Sequence, residues 1–154
     1  MAEARPLPEP LTVDLVQQDG YRFRVDVHEP GTELFTVDEP PPLGLGAGPS
    51  ASRLLAAAVV ECLGQSLLFC LARARIAVAG IRVHVRARHA RTPQGRLRIS
   101  ELEVELSVEA AAPDWERAGR CLAIFQDFCT VTASVRPAIP VSVAVERRDP
   151  EAGG

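Results

Sequence analysis

The stretch "AAAVVECLGQSLLFCLA", from Ala56 to Ala72, is almost wholly apolar, yet it contains two cysteines. Its length is close to that of a membrane span, but Glu61, Gln65 and Ser66 interrupt it with polar groups. We therefore predict that it forms the core helix of a protein outside the membrane.

The predicted helix runs from about Ser52 to Arg73 and is apolar on nearly every face. A helix of this kind is covered on all sides, either in a large core or at a subunit interface. Because a chain of only 154 residues has difficulty in wrapping such a helix, the pattern favours a homodimer.

Alternating stretches on both sides of this helix predict β-strands. Residues 11–27 form two such stretches around Asp19-Gly20, which is a strong signal for a hairpin turn. Further strands are predicted at 33–39, 75–90, 96–110 and 137–146, and a second helix at 115–128. This order predicts an α+β fold, in which helices pack against one face of an antiparallel sheet.

Composition and charge indicate one soluble domain over 11–147, with disordered tails at 1–10 and 148–154. Hydrophobic residues make up 47% of the chain and charged residues 24%. The net charge of -3 argues against a nucleic-acid-binding protein, because such proteins carry a basic surface. The first ten residues lack the basic and apolar segments of a leader, which predicts a cytoplasmic protein with reduced cysteines.

The four cysteines are Cys62, Cys70, Cys121 and Cys129. Cys70 follows Cys62 by eight residues, and Cys129 follows Cys121 by eight residues. Structural zinc sites bring their ligands from turns with spacings of about two to four residues, and we therefore expect no metal here. Cys70 and Cys121 lie among Leu, Phe and Ile and are predicted to be small core residues.

Three stretches resemble the OsmC/Ohr family of cysteine-dependent peroxidases, over residues 37–145. "DEPPPLGLGAGPSASRLLAAAVVECL" is similar to the family's Gly-rich loop and the start of its central helix, which ends here at Cys62. "FCTVTASV" is similar to its second-cysteine segment, and "IPVSVAV" to its closing strand. The resemblance implies an OsmC-like fold, in which antiparallel sheets pack on a long apolar helix within an intertwined dimer.

The resemblance also implies a reaction. Cys62 would attack an organic hydroperoxide, Cys129 would resolve the resulting sulfenic acid, and an external dithiol would supply electrons without any bound cofactor. Arg22 or Arg24 would stabilise the thiolate, with Arg22 preferred. The alternative is a redox-sensing, ligand-binding or otherwise non-catalytic protein on the same fold. Apolar residues of the helix would favour organic peroxides over hydrogen peroxide: Leu54, Leu55, Leu67 and Phe69.

One position departs from the family pattern. Ser52 stands where the family has the Glu that holds the arginine. The arginine is therefore predicted to be loosely held, or to pair with Glu39 or Glu61. A loosely held cation stabilises a buried thiolate weakly, which predicts a Cys62 pKa only modestly below that of a free thiol.

Overall fold

The structure, a computed structural model, describes residues 6–150 of the protein. The chain divides between Leu54 and Leu55 into two compact units. The predicted tails, 1–10 and 148–154, lie partly outside the described residues, and the last strand includes Arg148. The single domain over 11–147 stays a prediction.

The first unit contains a three-stranded antiparallel sheet in the order β1-β2-β3. The strands are β1 (Asp14–Asp19), β2 (Arg22–Asp26) and β3 (Phe35–Val37). The turn between β1 and β2 uses Gly20 at φ +47°, a left-handed conformation that glycine adopts without steric cost. The predicted hairpin and third strand are therefore present.

Helix α1 (Ala51–Arg73) is the apolar helix that the sequence predicts. By length and composition it could cross a membrane. Instead, a stripe at four-residue spacing lies in the core of the second unit, as expected for one face of a helix: Val59, Leu63, Leu67 and Leu71. All four side chains are fully buried. The interpretation as a core helix is confirmed.

The second unit contains a sheet in the order β4-β5-β6. Strands β4 (Gly80–Arg91) and β5 (Leu97–Glu109) pair antiparallel, as predicted. Strand β6 (Val141–Arg148) pairs with β5 in the parallel direction, because the short helices between them return the chain to the end at which β5 began. The α+β class is confirmed, with one parallel pairing in this sheet.

Alternation along β5 supplies the other half of this core. Leu102, Val104, Leu106 and Val108 are buried at a period of two residues, as expected for one face of a strand. At Gly64 a Cβ atom would lie only 3.4 Å from the Cγ2 atom of Val83, which shows that α1 approaches the sheet closely there. The absence of a side chain at Gly64 allows α1 to pack closely on β4.

The predicted second helix at 115–128 is wrong as one continuous element. The chain forms α2 (Ala112–Trp115), α3 (Gly119–Ile124), a 3₁₀ helix (Phe125–Phe128) and α4 (Thr130–Val135). Gly119 lies at the start of α3, and a glycine inside a helix costs about 1 kcal/mol relative to alanine. Buried Ala118, Cys121 and Phe125 hold the separate pieces on the core.

Candidate thiol site

Cys62 and Cys129 lie beside each other in the second unit. Cys62 is a half-buried residue in the middle of α1, and Cys129 is a fully buried residue directly before α4. Both are free cysteines. The structure thus brings together the two thiols that the sequence singles out, and their separate chemical roles stay predictions.

A short chain of hydrogen bonds connects the two thiols to Thr132. The Cys129 thiol donates to Thr132 Oγ1 at 2.9 Å, and its sulfur is therefore free to accept from the Cys62 thiol, to which it is hydrogen-bonded. The backbone amides of Val131 and Thr132 donate to the Cys62 sulfur. Thr132 is fully buried, and nothing in its sequence position indicated this contact.

The surroundings of Cys62 raise its pKa above the ordinary value for a thiol. Burial is the largest cause, because low polarity disfavours the thiolate, and the hydrogen bond to Cys129 adds to it. The amides of Val131 and Thr132 oppose this rise, since they donate to the negative sulfur. The prediction of a pKa modestly below that of a free thiol is therefore wrong for this chain.

Arg22 and Arg24 lie two residues apart on β2, in the first unit. Together with Gln18, Thr36 and Ala47 they line a groove with a volume of 320 Å³. The Arg22 guanidinium pairs with Asp19 rather than with the predicted Glu39. The Arg22 Nε atom is buried without a hydrogen-bond partner among residues 6–150. A role for either arginine at Cys62 stays a prediction.

Glu61, the other predicted partner for an arginine, accepts a hydrogen bond from Gln65 at 3.2 Å. These two residues are one helical turn apart on α1, where side chains lie on the same face. Within the described part of the first unit Arg22 pairs with Asp19 and not with Glu39, and a pairing of an arginine with Glu61 stays a prediction.

Asp38 organises the Gly-rich loop that follows β3. Only 4% of it is exposed, and its carboxylate accepts hydrogen bonds from the amides of Glu39, Leu45 and Ala47 at 2.8, 3.0 and 3.1 Å. At Gly44 a Cβ atom would overlap the carbonyl oxygen of Glu39, so only glycine fits. Asp38 is not among the site residues predicted from the sequence, although an Asp before a Pro/Gly loop is a signal for this kind of turn.

The amide of Ala47 is the largest cause of a lowered Asp38 pKa, and the positive charge of Arg22 contributes further. Because the folded pKa lies below the unfolded one, the stabilisation is present above the unfolded value and is lost as pH falls through the folded value. This carboxylate therefore fixes the loop at neutral pH.

We expect Asp38→Asn to loosen this loop at pH 7, because an amide group accepts fewer hydrogen bonds than a carboxylate. Hydrogen exchange at Leu45 and Ala47 should become faster in the variant, and its stability should depend less on acid pH. Asp26→Asn is the matched control, since the exposed Asp26 carboxylate accepts from one amide, that of His28, and otherwise lies 3.5 Å from the ring of the same residue. Unchanged exchange in Asp38→Asn would contradict this account of the loop.

Cys70 and Cys121 form a disulfide in the structure, with their Cα atoms 5.6 Å apart. The sequence predicts both as reduced core thiols, so this pairing corrects the prediction. Both pack on the core, and Cys121 is only 3% exposed. A signal for this pairing was available in the sequence. Cys62 and Cys70 have the same eight-residue spacing as Cys121 and Cys129, so two segments that run in opposite directions can pair Cys62 with Cys129 and Cys70 with Cys121.

A sequence model of the OsmC-like protein family matches residues 44–144, which include α1 and all four cysteines. The chain belongs to the OsmC-like protein family. Among curated proteins, no significant match is found. Membership confirms the family that the quoted stretches resemble.

Solved structures share the fold of this OsmC-like protein at low identity. An OsmC-like protein of unknown function from Vibrio cholerae is 12% identical with a TM-score of 0.73, covering 92% of this chain and 100% of that one. An organic hydroperoxide resistance protein from Elizabethkingia anophelis is 17% identical with a TM-score of 0.68, covering 94% and 100%. A Legionella pneumophila protein of the same description is 16% identical with a TM-score of 0.63, covering 92% and 99%.

Proposed function

We propose that this OsmC-like protein is a thiol-dependent peroxidase that reduces organic hydroperoxides. The observation that carries the proposal is the hydrogen-bonded pair of free thiols, Cys62 in the middle of α1 and Cys129 directly before α4. The names of the structural neighbours as organic hydroperoxide resistance proteins support this substrate class.

The reaction needs only two thiols and an external reductant. The Cys62 thiolate attacks the terminal peroxide oxygen, the O–O bond breaks, and the alcohol leaves after it gains a proton. Cys129 then attacks the Cys62 sulfenic acid, and water leaves as the disulfide forms. An external dithiol reduces this disulfide, so that one hydroperoxide and one dithiol give one alcohol, one water and one oxidised dithiol.

The neighbours of Cys62 differ in part from the predicted apolar wall. Leu67 lies in the core, and Phe69 lines a groove beside Cys70 instead. Val131, whose backbone amide lies at the Cys62 sulfur, is half-buried and packs on the core. An apolar side chain at this place suits an alkyl group on the peroxide better than it suits hydrogen peroxide.

The test is consumption of hydroperoxide by the full chain with excess dithiothreitol. We expect cumene hydroperoxide to be consumed at least about tenfold faster than hydrogen peroxide, because apolar contacts hold only the organic substrate. Equal rates would contradict the substrate class. No catalytic consumption of either peroxide would contradict the proposed enzyme.

A non-catalytic, ligand-binding protein on the same fold is the second candidate, and the raised pKa of Cys62 supports it. A thiol that is mostly protonated at neutral pH reacts slowly, because the thiolate is the nucleophile. The two candidates differ in turnover: with excess dithiol a peroxidase consumes many equivalents of hydroperoxide, whereas a ligand-binding protein does not consume it catalytically.

The protein is proposed to act as a cytoplasmic homodimer. Apolar side chains exposed in a single chain support this assembly: Leu15 and Val16 on β1 are 53% and 62% exposed, and Leu68 on α1 is 36% exposed. Exposed apolar surface of this kind is commonly covered by a partner. Sedimentation equilibrium should give twice the chain mass of 16.6 kDa, and a single-chain mass would contradict the dimer.

A further inference from the structure

Cys70 and Cys121 form a second sulfur pair that the proposed peroxidase does not use. Their sulfur atoms are bonded, and the Cα separation of 5.6 Å is typical of disulfides. Cys70 lies eight residues after Cys62 on α1, which is about 12 Å along the helix axis. That distance is too long for direct exchange between the two pairs, so the second pair needs its own reaction partner.

A groove opens directly onto the Cys70–Cys121 pair. Its volume is 790 Å³, within the usual range for small-molecule sites, and both cysteines line it. The apolar part of its lining is Phe69, Ala74, Ile124 and Phe128. Phe69 and Phe128 are 56% and 59% exposed, so the groove is open in the single chain.

Three arginines complete the lining of the groove: Arg73, Arg117 and Arg120. Arg117 is held in place, because its guanidinium pairs with Asp114 at 2.7 Å and donates to the carbonyl of Arg75 at 3.3 Å. The Arg73 guanidinium lies 5.7 Å from the centre of the Phe69 ring. Cations above an apolar floor favour a ligand that is both anionic and aromatic or otherwise apolar.

We propose that Cys70 and Cys121 are a thiol–disulfide exchange site for apolar disulfides that carry a carboxylate. In the reduced protein Cys70 attacks one sulfur of the ligand, and the other half leaves as a thiolate. Cys121 then attacks Cys70 of the mixed disulfide and releases the second half. Two protein thiols are oxidised to the observed disulfide, one ligand disulfide is reduced to two thiols, and an external dithiol reverses the protein step.

Cys70 is the attacking residue in this scheme. It is half-buried, whereas Cys121 is 3% exposed, so an incoming disulfide reaches Cys70 first. Arg73 follows Cys70 by three residues on α1, which places the two side chains on neighbouring positions of one helix face. The arginine is then close to the carboxylate and to the thiolate that attacks.

The experiment uses reduced full-length protein with Cys62→Ser and Cys129→Ser, which retains only the second pair. The probe is 5,5′-dithiobis(2-nitrobenzoate), an aromatic disulfide with two carboxylates, and the neutral comparison is 4,4′-dithiodipyridine. We expect each probe to release two thiols per chain and leave a Cys70–Cys121 disulfide with no probe attached. Two probe halves retained per chain would overturn the proposal.

Charge selectivity tests the groove itself. With Arg73→Gln and Arg120→Gln together, the anionic probe should react about fivefold more slowly and the neutral probe nearly as before, because only the anion loses electrostatic attraction. Arg98→Gln on β5 is the control, since Arg98 does not line the groove. Equal effects on both probes would overturn the assignment of the arginines.

Mapping of the wild-type protein provides a second readout if the double variant does not fold. Trypsin leaves Cys62 and Cys70 in one fragment, and Cys121 and Cys129 in another, because no arginine separates either pair. Chymotrypsin separates them, since it cleaves after Phe69 and Phe125. A bridge between Cys70 and Cys129 would overturn the proposal. Mapping does not measure hydroperoxide turnover, so a failure of the proposed peroxidase activity would not change this result.

Discussion

Cys62→Ser is expected to abolish turnover of cumene hydroperoxide, with a loss of at least about 100-fold, because a serine hydroxyl cannot form a sulfenic acid. Cys129→Ser is expected to behave differently. Its Cys62 still attacks one equivalent of hydroperoxide, but the sulfenic acid then persists because its neighbouring thiol is gone. The measurement is consumption in rapid mixing, with dimedone added to trap the sulfenic acid on Cys62.

Cys70→Ser is the matched control for this pair of variants, since Cys70 lies on the same helix and outside the Cys62–Cys129 hydrogen bonds. Its peroxide turnover should equal that of the wild type within a factor of about two. If Cys62→Ser retained turnover, Cys62 could not be the nucleophile. A Cys129→Ser protein that formed no dimedone adduct would contradict the two-thiol order.

The same assay carries a pH signature. The raised pKa of Cys62 means that its thiolate fraction still increases above the ordinary thiol value of about 8.5, so the first-turnover rate should keep rising beyond that pH. In the native chain this proton is bound more tightly than in the unfolded chain. Its contribution to stability is therefore present below the unfolded pKa and is lost as pH rises through the folded value.

Local patterns predicted the elements whose residues decide their own structure. The Asp19-Gly20 turn, the alternation along 96–110 and the apolar run of α1 each specify one element from neighbouring residues. The family resemblance then supplied the pairing of Cys62 with Cys129, which are 67 residues apart in a chain of 154. No short-range pattern contains that information.

The errors arose where distant parts of the chain decide the outcome. The direction of β6 depends on how the segment from Ala112 to Val135 returns across the sheet. The Cys70–Cys121 bond depends on how α3 packs beside α1, and the direction of the shift in the Cys62 pKa depends on burial. These properties belong to the packed structure, so propensity and spacing alone could not predict them.

Phe125→Ala is expected to be the most destabilising single change in the segment that leads to Cys129. Phe125 is 1% exposed and is among the largest fully buried side chains in the second unit. Removal of a buried phenyl ring costs about 3–5 kcal/mol, a large share of the roughly 5–15 kcal/mol that stabilises a typical domain. Urea unfolding in the presence of a reductant measures this loss without a contribution from the Cys70–Cys121 bond.

Phe128→Ala provides the comparison, because both phenylalanines lie on the same 3₁₀ helix and Phe128 is 59% exposed. Its free energy of unfolding should remain within about 0.5 kcal/mol of the wild type.

Loss of the Phe125 ring also has a consequence for the chemistry, since the Cys129 amide donates to the carbonyl of Gln126 in the turn that Phe125 anchors. At temperatures where Phe125→Ala remains folded, the dimedone-reactive sulfenic acid of Cys62 should therefore persist longer than in the wild type. Equal stability of the two variants would show that burial of Phe125 does not hold the turn that carries Cys129.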